Sequence, residues 1–186
     1  MRIYVPATLD ELDSAVVAST ATRWTVTARR AHAVTSALAA ELRDDDDEGR
    51  EYAAFLAAAH DSLELIAARA GVPPLRVVVS LDIPESAVAL PSREGFVEGA
   101  GDGQSSPSTV LVTRDVYDVS VVAVHVDEPE AAADIEAVLA AADEERDAES
   151  AAEVAATAVL DDALQRVTDR DLLWYDASEV HQIPRP

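Results

Sequence analysis

Apolar and polar positions along the chain alternate with two different periods, and the switches between them lay out the elements. RIYV at Arg2 to Val5, LRVVVSL at Leu75 to Leu81, VVAVHV at Val121 to Val126 and LLWY at Leu172 to Tyr175 are short, apolar runs that read as strands. LRVVVSL and the run from Val119 to Val126 are apolar on both faces, the mark of central strands. On the second run, Val122, Val124 and Val126 are expected on one side and Val119, Val121 and Ala123 on the other. Elsewhere apolar residues recur every three or four positions. From about Gly49 to Ala70, Tyr52, Phe55, Leu56, Ala59, Leu63, Ile66 and Ala70 predict one face of a long helix, stopped by Gly71 and the Pro73-Pro74 pair. Ile135, Val138, Leu139 and Ala142 predict a helix opened by Pro129, and Val154, Ala158, Leu164 and Val167 predict another behind the acidic stretch Asp143 to Glu149. Weaker patterns place a helix carrying Leu9, Leu12, Val16 and Val17, a strand from Ala31 to Val34, a short helix opened by Thr35 or Ser36, and a strand near Thr109 to Thr113. Residues 19 to 30 fit a strand or a helix.

Four of the extended runs stop at a Thr or Asp with a Glu three residues later: Thr8 and Glu11, Asp82 and Glu85, Asp127 and Glu130, Asp176 and Glu179. The first turn of a helix leaves backbone N–H groups unpaired, so a Thr or Asp oxygen accepts from them while the Glu reaches back. Each copy therefore predicts a strand feeding a helix. A chain of 186 residues suits one core. The expected fold is a single α+β (mixed α/β) domain over residues 1–186, a mixed β-sheet of five to six strands with helices packed against it. Gly, Ser and Pro concentrate in PSREGFVEGAGDGQSSP, which makes 91–107 a flexible loop by expectation, and 182–186 reads as a loose C-terminal tail.

Hydrophobic residues make up 49% of the chain and aromatic ones 4%, so Val, Leu, Ile and Ala must fill the core and stacking platforms are scarce. Asp and Glu outnumber basic residues 36 to 14, every basic residue is Arg, and the net charge is −22. Such a field repels phosphate, so nucleic acid and anionic membranes are not expected partners; a protein with a basic surface, or self-association, is. Without Cys there is no disulfide, no thiolate nucleophile and no Cys zinc site. The start MRIYVPATLDEL has no basic region leading into an apolar core, and no apolar run approaches the ~18 residues of a membrane span. The expected location is cytoplasmic.

His125 is the most suggestive single residue, a polar side chain near the carboxyl end of an apolar strand and two positions before Asp127. Asp82 and Asp176 close two other strands, and ligands of α/β sheets often bind where carboxyl ends meet. If those ends converge, His125, Asp82, Asp127 and Asp176 form a binding site for a divalent metal or an acid–base pair. Helix capping explains the Asp-to-Glu spacing without a metal, and no HExxH, CxxC or triad pattern appears, so no metal, cofactor or catalytic residue is assigned. His60 with Glu64 reads as a surface salt link, His32 and His181 have no partner pattern, and the acidic run Asp44 to Glu48 lacks the alternation of a calcium loop. Gly99, Gly101 and Gly103 lack the following helix and Lys of a phosphate loop. Trp174 and Tyr175 read as core and cap contacts.

RIYVPAT at Arg2 to Thr8, AVTSAL at Ala33 to Leu38, VHVD at Val124 to Asp127 and LLWYD at Leu172 to Asp176 together resemble a family of small acidic proteins from actinobacteria. The matches run from end to end of the chain. The resemblance implies a bacterial cytoplasmic protein of high-GC origin, in keeping with the Arg-only basic set, and carries no activity or site residues with it. The leading expectation is a non-enzymatic binding domain with an acidic surface. The alternative is a small metal-assisted hydrolase or small-molecule-binding protein centred on His125.

Overall fold

The computed structural model describes residues 1–18, 21–91, 106–147 and 153–185. Its strands are β1 (Arg2–Ala7), β2 (Val16–Val17), β3 (Thr22–Val26), β4 (Arg29–His32), β5 (Val77–Asp82), β6 (Val88–Ala89), β7 (Thr109–Val112), β8 (Val116–Val126) and β9 (Leu173–Asp176). The α-helices are α1 (Ser36–Glu41), α2 (Asp47–Ala68), α3 (Ala132–Asp147) and α4 (Glu153–Thr168). The runs that are apolar on both faces lie mid-sheet. β5 is flanked by β1 and β8, β1 continues to β4, β7 and β6, and β8 also pairs with β3, which pairs with β2, and with β9. Every pairing is antiparallel.

The expected mixed sheet of five to six strands is thus, among the described residues, an antiparallel sheet of nine. The additional strands are β2 and β6, two residues each and too short to leave a period, and β3, inside the stretch that fitted either element. The helix expected behind the first strand is a 3-10 turn, Leu9–Ser14, followed by β2.

All four Thr/Asp-to-Glu runs feed 3-10 turns, and among them Asp176 with Glu179 forms the reciprocal cap: Ser178 N–H donates to Asp176 at 2.9 Å and Asp176 N–H donates to Glu179 at 2.9 Å. Guanidinium groups claim the other three. Thr8 accepts from Arg69, Asp82 from Arg2 and Asp127 from Arg76, each a charged donor that takes the place of the N–H groups of the following turn. Thr35 does cap α1, accepting from Leu38 N–H at 3.1 Å. Asp46, within the acidic run, caps α2 by accepting from Gly49 N–H at 2.9 Å.

The two faces of the sheet are buried differently. Ile3, Val5, Val77, Val79, Leu81, Val124 and Val126 point into the main core, which β3, β4, β7 and the 3-10 turns complete, with Ala132 at the start of α3 packed against it. Tyr4 and Val78 point the other way, against Leu38 of α1 and Ala54, Ala58 and Ala59 of α2. Small side chains at 54, 58 and 62 let α2 lie close on the strands. There the buried Ser62 hydroxyl donates to the Ala7 carbonyl and accepts from Val77 N–H, both at 2.8 Å. Leu63 and Ile66 then meet Ile135 and Val138 of α3 and Ala163 and Val167 of α4. The predicted stripe on α2 is rotated at its N-terminal half, where Tyr52 and Leu56 are exposed.

β8 departs from simple alternation. Ser80 faces Ala123 but Leu81 faces Val121, so Val122 is an inserted residue, and β8 changes phase there. Val119 and Val121 share the core face with Val124 and Val126, while Ala123 and His125 face α2. A second register shift opposite β3 holds Asp118 at φ 57°. Bulges bend and twist a strand, which helps this sheet to cover its own inner face. At the C-terminus, Ile183 is buried and Arg185 pairs with Asp13 at 2.6 Å, so the stretch expected to be loose is anchored up to Arg185. Of the expected loop 91–107, residues 92–105 lie outside the described residues.

Candidate functional site

Antiparallel pairing separates the four candidate residues. β5 and β8 run in opposite directions, so their carboxyl ends lie at opposite ends of the sheet. Asp127 N–H donates to the Arg76 carbonyl, level with the start of β5, whereas Asp82 ends that strand. Six residues at about 3.3 Å each put them roughly 20 Å apart, beyond the ~8 Å that one ion could bridge. Asp82 is fixed by the Arg2 guanidinium at 2.9 and 3.0 Å, which holds its carboxyl below the usual value. Asp176, level with Ala123, is held low by the Ser178 hydrogen bonds. Asp127 is buried and accepts from Arg76 Nε at 2.9 Å, Nη2 at 2.7 Å and backbone N–H at 2.8 Å. Among the described residues no three His, Cys, Asp or Glu side chains are arranged to hold a metal ion.

His125 stands apart from the other three. It lines a cleft of about 520 Å³ between the N-terminal half of α2 and the face formed by β1, β5, β8 and β9. That volume lies within the usual range of small-ligand sites, roughly 300–1,000 Å³. Phe55 of α2 meets the His125 ring edge-on at 4.8 Å, stacks with Tyr52 at 6.0 Å and meets Tyr4 of β1 edge-on at 6.3 Å. Trp174 is directly opposite His125 in the β8–β9 register and lines the same cleft. Tyr52 and Trp174 are 51% and 61% exposed, so two rings of this group face solvent. Trp174 is therefore a surface residue, not the expected core contact.

Charge in the cleft is mostly negative. Glu48, Glu51 and Asp171 line it against one guanidinium, that of Arg2, which Asp82 already pairs. The Tyr4 hydroxyl donates to Glu51 at 3.1 Å, and burial together with that carboxylate pushes its pKa up to about 12. Burial also pushes the His125 imidazole below its ordinary value, against a weaker pull from the Val78 backbone, which leaves the ring neutral at pH 7. Among the described residues the enclosed His125 Nδ1 has no hydrogen-bond partner. An unpaired buried polar atom costs about 1–3 kcal/mol. His125→Phe keeps a ring against Phe55 and removes that atom, so thermal unfolding should show stability unchanged or raised by about 1 kcal/mol. A clear loss would show that the imidazole nitrogens support the fold.

A second polar cluster surrounds His32, for which the sequence offers no partner pattern. Ser106 Oγ lies 2.9 Å from Ser108 Oγ, Ser108 Oγ 2.8 Å from His32 Nδ1, and His32 Nε2 3.0 Å from Asp61 Oδ2. The order Ser–His–Asp is that of an acyl-transfer triad, whose serine must reach substrate beside oxyanion donors. Ser108 is 1% exposed and His32 likewise 1%, so the middle of the string is interior, with Ser106 and Asp61 partly exposed at its ends. It ties β4 to the entry of β7 and to α2. Its members come from distant parts of the chain, and no local spacing could have announced them.

The arrangement defines a class: an antiparallel α+β protein with an aromatic, acid-rimmed cleft under its longest helix. A family model, that of a family of unknown function (DUF6912), matches residues 1–183, and the chain belongs to that family. No curated protein and no solved structure matches it. No helix among the described residues is long and apolar enough to cross a membrane.

Proposed function

We propose that the chain is a non-enzymatic binding domain that works through the cleft beneath α2, with His125 among its lining residues. The convergence there of four of the chain's eight aromatic residues is the observation that supports this most. Rings left partly in water yield large apolar areas when a ligand covers them, and such residues dominate binding energies at interfaces. The groups around them are already fixed, Arg2 by Asp82 and Tyr4 by Glu51, which favours a preformed surface over a reacting one. A cytoplasmic location and a partner bearing positive charge belong to the same proposal. A second copy of the chain is the competing occupant, and sedimentation of the purified protein distinguishes it.

The test is a fragment screen on isotopically labelled protein, using uncharged aromatic, cationic and anionic fragments. Saturable shifts should gather on Tyr52, Phe55, His125 and the Trp174 indole, and should fall at least tenfold in affinity in Trp174→Ala. Fragments that gather on another surface would overturn the assignment of the site. Turnover of any fragment by the native chain that is lost in Trp174→Ala or His125→Phe would overturn the non-enzymatic reading.

A further inference from the structure

The geometry points to the guanidinium group of an arginine side chain, presented by a basic segment of a partner protein, as the occupant of the cleft. This rests on the cleft being the binding surface and adds the chemistry of what it takes. Three carboxylates, Glu48, Glu51 and Asp171, line the opening, and among the described lining residues one guanidinium, that of Arg2, faces them while paired with Asp82 at 2.9 Å, so an incoming cation finds an excess of negative charge. Aromatic rings line the same opening. Tyr52 and Phe55 lie nearly parallel, 20° apart, with Trp174 on the facing rim.

Aromatic faces attract cations through their quadrupole, and a guanidinium both stacks flat on a ring and offers a fork of N–H donors to a carboxylate. An ammonium does only part of this, and an anion would meet three like charges. The source of the cation follows from the rest of the chain. A net charge of −22 draws basic polypeptides from a distance, and the exposed Tyr52 and Trp174 at the rim leave apolar surface for residues flanking the arginine.

Three probes decide the matter: N-acetyl-arginine amide, the matching citrulline amide, which keeps the shape and loses the charge, and a short peptide with one arginine between small apolar residues. Titrations follow the Trp174 indole and the Tyr52 and Phe55 amides in the full chain. Saturable shifts are expected with the arginine amide, at least tenfold weaker binding of citrulline, and at least tenfold tighter binding of the peptide than of the amide. Glu48→Gln and Asp171→Asn, both at the rim, should each weaken the arginine probes several-fold while leaving uncharged aromatic fragments unaffected. Equal binding of arginine and citrulline would overturn the cation inference and leave the cleft as a binding surface. Unsaturable shifts spread over the acidic surface would overturn it as charge screening alone. A peptide no tighter than the amide would overturn the protein source, and loss of uncharged fragments from the cleft would fail the site itself.

Discussion

Asp127→Ala is expected to lower the unfolding free energy by about 3–5 kcal/mol, the usual cost of leaving a buried charge without its partner. The Arg76 side chain is 6% exposed and that of Asp127 fully enclosed, so little solvent reaches Arg76 to replace the carboxylate. Both carboxylate oxygens are engaged, and one of them also accepts the Arg76 backbone N–H at the start of β5. Arg76 Nη2 continues to the Arg170 carbonyl at 3.0 Å, and Arg170 binds Glu128 and Asp134, so the pair also fixes the end of α4 against the start of α3. A domain of ordinary stability, about 5–15 kcal/mol, would lose a large share of it.

Urea denaturation checks the magnitude, and hydrogen exchange checks the route, with amides near the end of α4 expected to exchange faster. The double replacement Arg76→Met with Asp127→Leu removes both charges and should recover most of the loss. About 1–3 kcal/mol would remain, because the Arg76 N–H still lacks its acceptor. A double variant as unstable as Asp127→Ala would place the carboxylate's contribution in the backbone contact instead of the charge pair.

That Asp127 is structural could not be read from its neighbours, and the reason is general to this chain. Apolar runs mark β5 and β8 as central because burial on both faces is a property of each residue. Strand direction is not. A site joining the four candidate residues requires that carboxyl ends meet, as in a parallel sheet, and antiparallel pairing moves Asp82 and Asp127 to opposite ends. Val122 misleads similarly, since one inserted residue turns every side chain beyond it to the other face. His125 was legible as a polar residue in an apolar run. Its companions were not: Tyr4 and Trp174 reach it through strand pairing, and Tyr52 and Phe55 through helix packing. On α2 the apolar period recorded which residues dislike water but not that Tyr52 and Leu56 are left in it.

His32→Ala should cost roughly 2–4 kcal/mol, by opening a void where the side chain is buried and by leaving Ser108 and Asp61 without their shared partner. Asp61→Asn should cost less, since an amide oxygen can still face His32 although the charge is gone. Acid titration separates the two contributions. Burial raises the Asp61 carboxyl, but the hydrogen bond from His32 and the Arg30 guanidinium outweigh it, so its folded value lies below the ordinary one. A depressed carboxyl makes the unfolded chain the better proton acceptor, so its stabilisation is complete above the unfolded carboxyl range, near pH 4, and is lost as pH falls through the folded value. The stability gap between the native chain and Asp61→Asn should therefore shrink as pH falls below about 4. Urea midpoints at pH 3, 5 and 7 measure it. A gap as wide at pH 3 as at pH 7 would mean that shape, not ionisation, is what Asp61 contributes. A small loss in His32→Ala would mean that α2 and the β4–β7 pairing hold without the string, and that a buried Ser–His–Asp alignment serves something other than stability.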